Sequence, residues 1–169
     1  MIFYKKYIII YIENKKRKIF DNTYYKEGGI LMDNITDYDM LKMAVDYYSP
    51  NQLSHALRVA QYAVEGASFA SDSDKQSLWT IGLLHDILRD TSCSTPPLAY
   101  CSQLEINSIK LLTQEKEDSY EEYIVKIALS KNEFAKAVKR ADIKDHLLHE
   151  ETLTEELKNK YYSVIQYLL

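Results

Sequence analysis

From Thr36 to the C-terminus, apolar residues recur three and four positions apart, and no run alternates apolar with polar. That spacing lays one apolar stripe along a helix, whereas a strand built from it would have no consistent inward face. Only four Gly and three Pro punctuate the 169 residues, so the helices have few places to break. The expectation is an all-α fold, a single helical bundle over residues 32–169.

The pattern resolves into segments. Thr36 reads as an N-cap, with Asp37 and Asp39 at the positive helix start and Met40, Leu41, Ala44, Val45 and Tyr48 behind them. Ser49-Pro50-Asn51 breaks this helix. A second is expected from Leu53 to Val64, with Leu53, Leu57, Ala60 and Val64 on its stripe and His55 and Arg58 on a neighbouring face. Ser71 to Asp74 forms a polar turn before a third helix through Leu78, Ile81, Leu84, His85 and Leu88. Cys93-Ser94-Thr95-Pro96-Pro97 reads as a loop. Further helices are expected from Gln103 to Leu112, from the capping box Ser119-Tyr120-Glu121-Glu122 through Leu129, and from Asn132 through Asp142. A last one starts at the capping box Thr152-Leu153-Thr154-Glu155.

A chain of this length buries a real core in one domain. Cys93 and Cys101 form neither a metal-ligand spacing nor a disulfide framework, which points to a reducing compartment. No apolar run reaches the eighteen or more residues of a membrane span. Tyr7 to Ile12 is too short for a signal-peptide core and is followed by Lys15-Lys16-Arg17-Lys18. A cytoplasmic protein with no membrane partner is expected. The net charge of −4 divides unevenly: residues 1–31 hold seven Lys/Arg against three Asp/Glu, and residues 32–169 hold fourteen against twenty-two. An acidic body is a poor surface for nucleic acid, so none is expected as a partner. Any phosphate bound here needs a cation or a few local basic residues. For residues 1–31, Glu27-Gly28-Gly29 can be encoded by a purine-rich ribosome-binding sequence just ahead of Met32. That suggests a translated leader with the biological start at Met32; a genuine basic arm is the other expectation.

The chemistry gathers in three places. His55 stands alone on the second helix, Leu83-Leu84-His85-Asp86 ends an apolar run, and Ala141-Asp142-Ile143-Lys144 sets a carboxylate beside apolar neighbours. Burying Asp86 is costly unless it is paired or metal-bound. Two imidazoles and two carboxylates can close on one divalent cation and suit Mn, Fe, Co, Zn or Mg. Four protein ligands leave open positions for water and a phosphate oxygen on a six-coordinate ion. A metal-dependent phosphohydrolase is the reading these residues favour. Arg58, Lys139 and Lys144 are the basic residues placed to hold a phosphate, with Arg140 beside them.

The segments His55-Ala56-Leu57-Arg58-Val59-Ala60, Leu83-Leu84-His85-Asp86-Ile87-Leu88-Arg89-Asp90-Thr91 and Val138-Lys139-Arg140-Ala141-Asp142 resemble the HD-domain superfamily. More narrowly they resemble its RelA/SpoT-type branch, including the small stand-alone (p)ppGpp hydrolases, which show H-P-L-R-V-A, L-L-H-D-x-x-E-D-T and K-x-A-D at corresponding places. The resemblance spans about Leu41 to Leu148. It implies an all-α HD domain holding one Mn ion through His55, His85, Asp86 and Asp142. The implied reaction is hydrolytic removal of the 3′-pyrophosphate of ppGpp or pppGpp, a small nucleotide. Asp90 matches the second acidic residue of the branch and would orient or deprotonate the attacking water.

Three departures stand out. Arg89 replaces a Glu of the branch, so it can draw in a phosphate but cannot accept a proton. His146 stands where the branch commonly has Asn. Ser49-Pro50-Asn51-Gln52 replaces a basic segment expected before the first His. Two alternatives follow from Arg89: an HD-type nucleoside monophosphate phosphatase, or a metal- and nucleotide-binding module with lost or weak catalysis.

Overall fold

A computed structural model describes residues 37–67, 70–90, 98, 101–149 and 153–169. These fall in one compact unit, Asn34–Leu169, and among them all regular structure is helical. The expectations for residues 1–31, for Thr36 and for the Cys93–Pro97 loop lie outside the described residues. The helices are α1 (Asp37–Tyr47), α2 (Pro50–Glu65), α3 (Asp72–Leu84), the short α4 (Ile87–Asp90), α5 (Gln103–Leu111), α6 (Tyr120–Leu129), α7 (Glu133–Leu148) and α8 (Glu155–Ile165), followed by a 3₁₀ turn (Gln166–Leu168).

Helix starts are locally encoded. Ser49, Ser71, Ser102 and Ser119 each cap a helix with their hydroxyl, while the third residue inside (Gln52, Asp74, Glu105 and Glu122) reaches back to the cap backbone. This reciprocal arrangement satisfies two otherwise orphaned N–H groups at each start. The Ser119 box matches the expectation, and so does the Asn132 cap of α7. Ser49-Pro50-Asn51 is a start as well as a break: Ser49 is the N-cap of α2 and Pro50 its first residue, where a missing N–H costs nothing. The cap of α8 is Thr154, whose hydroxyl accepts from the Leu157 N–H, so Glu155 begins the helix and does not close a capping box.

α2 packs against α3 and α7, and α3 also touches α7, so these three make the centre of the bundle. Its core includes Val59, Ile81, Leu83, Leu84, Val138 and Ile143, all fully buried. α2 and α3 meet unusually closely. A Cβ added at Gly82 would fall 2.6 Å from the Ala60 Cα and 3.0 Å from its backbone N. Only Gly allows that approach. It brings His55, five residues before Ala60, toward His85, three residues after Gly82.

The expected third helix ends earlier than its apolar period suggests. α3 stops at Leu84, His85 is its C-cap, and α4 resumes at Ile87. The His85-Asp86 pair therefore sits at a joint, at the end of a helix dipole whose partial negative charge favours a cation.

Candidate metal centre

Three elements supply the site: α2 brings His55 and Arg58, the α3–α4 joint brings His85 and Asp86, and α7 brings Lys139, Asp142, Asp145 and His146. His85, Asp86, Asp142 and Asp145 are buried at 2%, 6%, 4% and 1% exposure, far too deep for carboxylates without partners.

The hydrogen bonds fix both imidazoles. His85 Nδ1 lies 2.8 Å from the Gly82 carbonyl, which can only accept, so Nδ1 carries a hydrogen and Nε2 faces inward. His55 Nδ1 donates to Asp145 Oδ2 at 2.8 Å, leaving its Nε2 inward too. Both Nε2 atoms are buried without a hydrogen-bond partner. They still lie at ion-pair distance from two carboxylates: His55 Nε2 is 3.2 Å from Asp142 Oδ1 and 3.9 Å from Asp86 Oδ2, and His85 Nε2 is 3.7 Å and 3.3 Å from the same atoms. Orphaned buried nitrogens converging with carboxylate oxygens are what a cation site provides, and the donor set fits a divalent ion. The inward atoms of His55, His85 and Asp86 lie within 4.8 Å of one another.

Electrostatics agree. Burial works against a charged His85, yet Asp86 and Asp142 outweigh it and raise its pKa to about 10. Burial and the neighbouring carboxylates act on His55 in the same opposed way, with a net upward shift. For Asp142, burial is overcome by the Lys139 ammonium and by the imidazoles of His146, His55 and His85, which together hold the carboxyl well below its ordinary range. Asp86 and Asp142 favour a charged His85 in spite of its burial, and a divalent cation answers the same two carboxylates.

The surrounding charges are paired. Lys139, 5% exposed, donates to Asp142 Oδ2 at 2.7 Å and lies 5.0 Å from the Tyr123 ring centroid. Arg89 donates to Asp86 Oδ2 at 2.7 Å, with 44% of its side chain exposed. Arg58 grips Asp145 through Nε to Oδ1 at 2.6 Å and Nη2 to Oδ2 at 2.9 Å, while Nη1 donates to Ser54. Burial opposes the charge on Asp145, but His55 and Arg58 bring its pKa down to about 2.

The expected metal quartet of His55, His85, Asp86 and Asp142 is thus brought together. Among the expected phosphate ligands, Arg58 is committed to Asp145, and Lys139 to Asp142. Lys144 is exposed over the Tyr62 ring, 4.3 Å from its centroid. Of the expected catalytic pair, Arg89 reaches Asp86; the backbone of Asp90 closes α4, and its side chain lies outside the described residues. Sequence reasoning missed Asp145 and assigned no role to His146. The available signal was their helical spacing, three and four residues past Asp142 and so on the same face.

Comparison with known proteins agrees with this architecture. A solved structure of a metazoan ortholog of SpoT, described as hydrolysing ppGpp and acting in starvation responses, superposes with a TM-score of 0.59 at 18% identity. The match covers 85% of this chain and 86% of that one. A search of curated proteins returns no match. The model of the HD domain matches residues 53–160, a span that holds every charged residue of the site just described. On that match, this chain belongs to the HD-domain family.

Proposed function

We propose that this protein is a metal-dependent phosphohydrolase that removes the 3′-pyrophosphate of a ppGpp-type nucleotide. The observation that carries the reading is the convergence of two inward-facing Nε2 atoms with the carboxylates of Asp86 and Asp142 in a buried pocket. The fold shared with a ppGpp-hydrolysing SpoT ortholog supports the substrate class.

His55 and His85 would hold the cation through Nε2, Asp86 and Asp142 through the carboxylate oxygens that face them. Mixed nitrogen and oxygen donors suit Mn, which we take as the native ion. When bound, the ion lowers the pKa of a coordinated water and offsets charge at the reacting phosphorus. Asp145 keeps the His55 ring oriented, and Arg58 neutralises Asp145; we assign Arg58 a positioning role and not a phosphate contact. Lys139 holds the far oxygen of Asp142. Arg89, half exposed beside Asp86, is assigned to an incoming phosphate, and Asp90 to the attacking water. Asp86 and Asp142 are already balanced by Arg89 and Lys139, so a bound dication leaves the pocket net positive. That attracts a polyanionic nucleotide to an otherwise acidic body. We further propose a cytoplasmic location, on the charge and cysteine pattern of the sequence; among the described residues no helix is long and apolar enough to cross a membrane.

The test is product identity. Purified protein is incubated with Mn and a panel of nucleotides, and the products are separated by ion exchange. Pyrophosphate with GDP or GTP is the expected result. Inorganic phosphate alone, or binding without product, refutes the assignment.

A further inference from the structure

One imidazole at the site has no role in this scheme. His146 lies one turn past Asp142 on α7, with its Nε2 3.2 Å from Asp142 Oδ1. Its ring centroid is 4.8 Å from that of His55. Its ring also stacks on Tyr161 of α8, at 5.3 Å and 11° between planes, which braces it. The ligand atoms of His55, Asp142 and His146 lie within 4.8 Å of one another, as do those of His55, His85 and Asp86.

These two triads share His55, whose Nδ1 is already bonded to Asp145. Only its Nε2 lone pair is left, and one lone pair binds one ion. Only one ion at a time can therefore use His55, so the two triads are read together as one site. Asp142 Oδ1 faces three imidazole nitrogens, at 3.2, 3.7 and 3.2 Å. A single carboxylate oxygen has two lone pairs and cannot accept from all three. An ion set among them accounts for every one.

We infer that His146 Nε2 is a fifth protein donor to the cation, closing the outer side of the site. This rests on the metal-hydrolase reading above and sharpens it. Three nitrogens and two oxygens bind borderline ions such as Zn or Co more tightly than four mixed donors do, and gain less for Mn. Five protein donors leave one position open on a six-coordinate ion. Water and a phosphate oxygen then compete for it unless His146, 39% exposed, lets go.

The test measures metal alone. Apo wild type, His146→Asn and Asp142→Ala are titrated with Zn and with Mn by calorimetry, and with Co by its visible spectrum. Wild type is expected to take one equivalent, and His146→Asn to take one with roughly 10- to 100-fold weaker Zn affinity, a smaller loss for Mn and an altered Co spectrum. Long-range ¹H–¹⁵N spectra of Zn-loaded wild type, which need no variant to fold, are expected to show three imidazole Nε2 signals shifted by metal. Two shifted signals, or unchanged Zn affinity and Co spectrum in His146→Asn while Asp142→Ala loses the ion, overturn this inference and leave the hydrolase reading standing. Wild type that binds no metal overturns both.

Discussion

Gly82→Ala tests whether the approach of two helices builds the site. The new Cβ would lie 2.6 Å from the Ala60 Cα and 3.0 Å from its N, whereas non-bonded carbons rest at about 3.5 Å. Both contacts are backbone, so no rotamer change relieves them, and α2 and α3 must part by ~1 Å. Alanine returns about 1 kcal/mol of helix propensity. Overpacking costs about 1–3 kcal/mol, occasionally more. The expected balance is a loss of roughly 0–2 kcal/mol in urea unfolding of the metal-free protein. The effect on the site should be larger. His55 rides on α2, and the Gly82 carbonyl anchors the His85 ring. A displacement of ~1 Å exceeds the about 0.5 Å that such sites tolerate, so Mn affinity should drop at least about tenfold and turnover by ~10²-fold. Ala60→Gly removes only the Ala60 Cβ, 3.2 Å from the new atom, and should not rescue. Wild-type stability and metal affinity in Gly82→Ala, or full rescue by Ala60→Gly, refutes the reasoning.

Other outcomes follow from the charges. Asp145→Asn should lower metal affinity by roughly 10- to 100-fold by weakening the charged bond that orients the His55 ring. A native pKa of about 2 against an ordinary 3.8 means Asp145 contributes about 2 kcal/mol of stability. Because the native pKa is depressed, that contribution is present above pH ~4 and fades as pH falls toward 2. The stability gap between metal-free wild type and variant should therefore close in acid, and a gap constant from pH 3 to 7 refutes the assignment. Lys139→Met should destabilise the metal-free protein by about 3–5 kcal/mol, because it leaves a buried Asp142 oxygen unpaired; an unchanged thermal midpoint in chelator contradicts this. Arg89→Glu removes the cation assigned to the incoming phosphate and sets a second carboxylate beside Asp86, so ppGpp turnover should fall. A gain in turnover counts against the phosphate role of Arg89 and favours the reading in which Arg89 weakens catalysis.

That His55, His85, Asp86 and Asp142 turn inward toward one another was legible because each stands beside apolar residues at helical spacing. The Ser119 and Asn132 caps were legible because capping is local. Other features were hidden for physical reasons. Leu88 continues the apolar period of α3 past its true end, so the joint that carries His85 and Asp86 cannot be read from periodicity. Ser49-Pro50 signals a stop and a start with the same residues. Arg58 looked free because its partner Asp145 is 87 residues away. Charge pairing between distant helices depends on how they pack, and spacing within one helix carries no record of it. The same holds for Lys139: its spacing to Asp142 is visible, but the burial that turns the pair into a fixed structural contact is not.

The ammonium that pins Asp142 has a consequence for ion exchange. Carboxylates in flexible sites often rotate from one-oxygen to two-oxygen binding, which eases a departing ligand out and a new one in. With Oδ2 tethered at 2.7 Å to a buried Lys139, Asp142 has no such swivel. Changes in coordination must then come from the solvent-facing side, and the rest of the cage should stay rigid through each turnover.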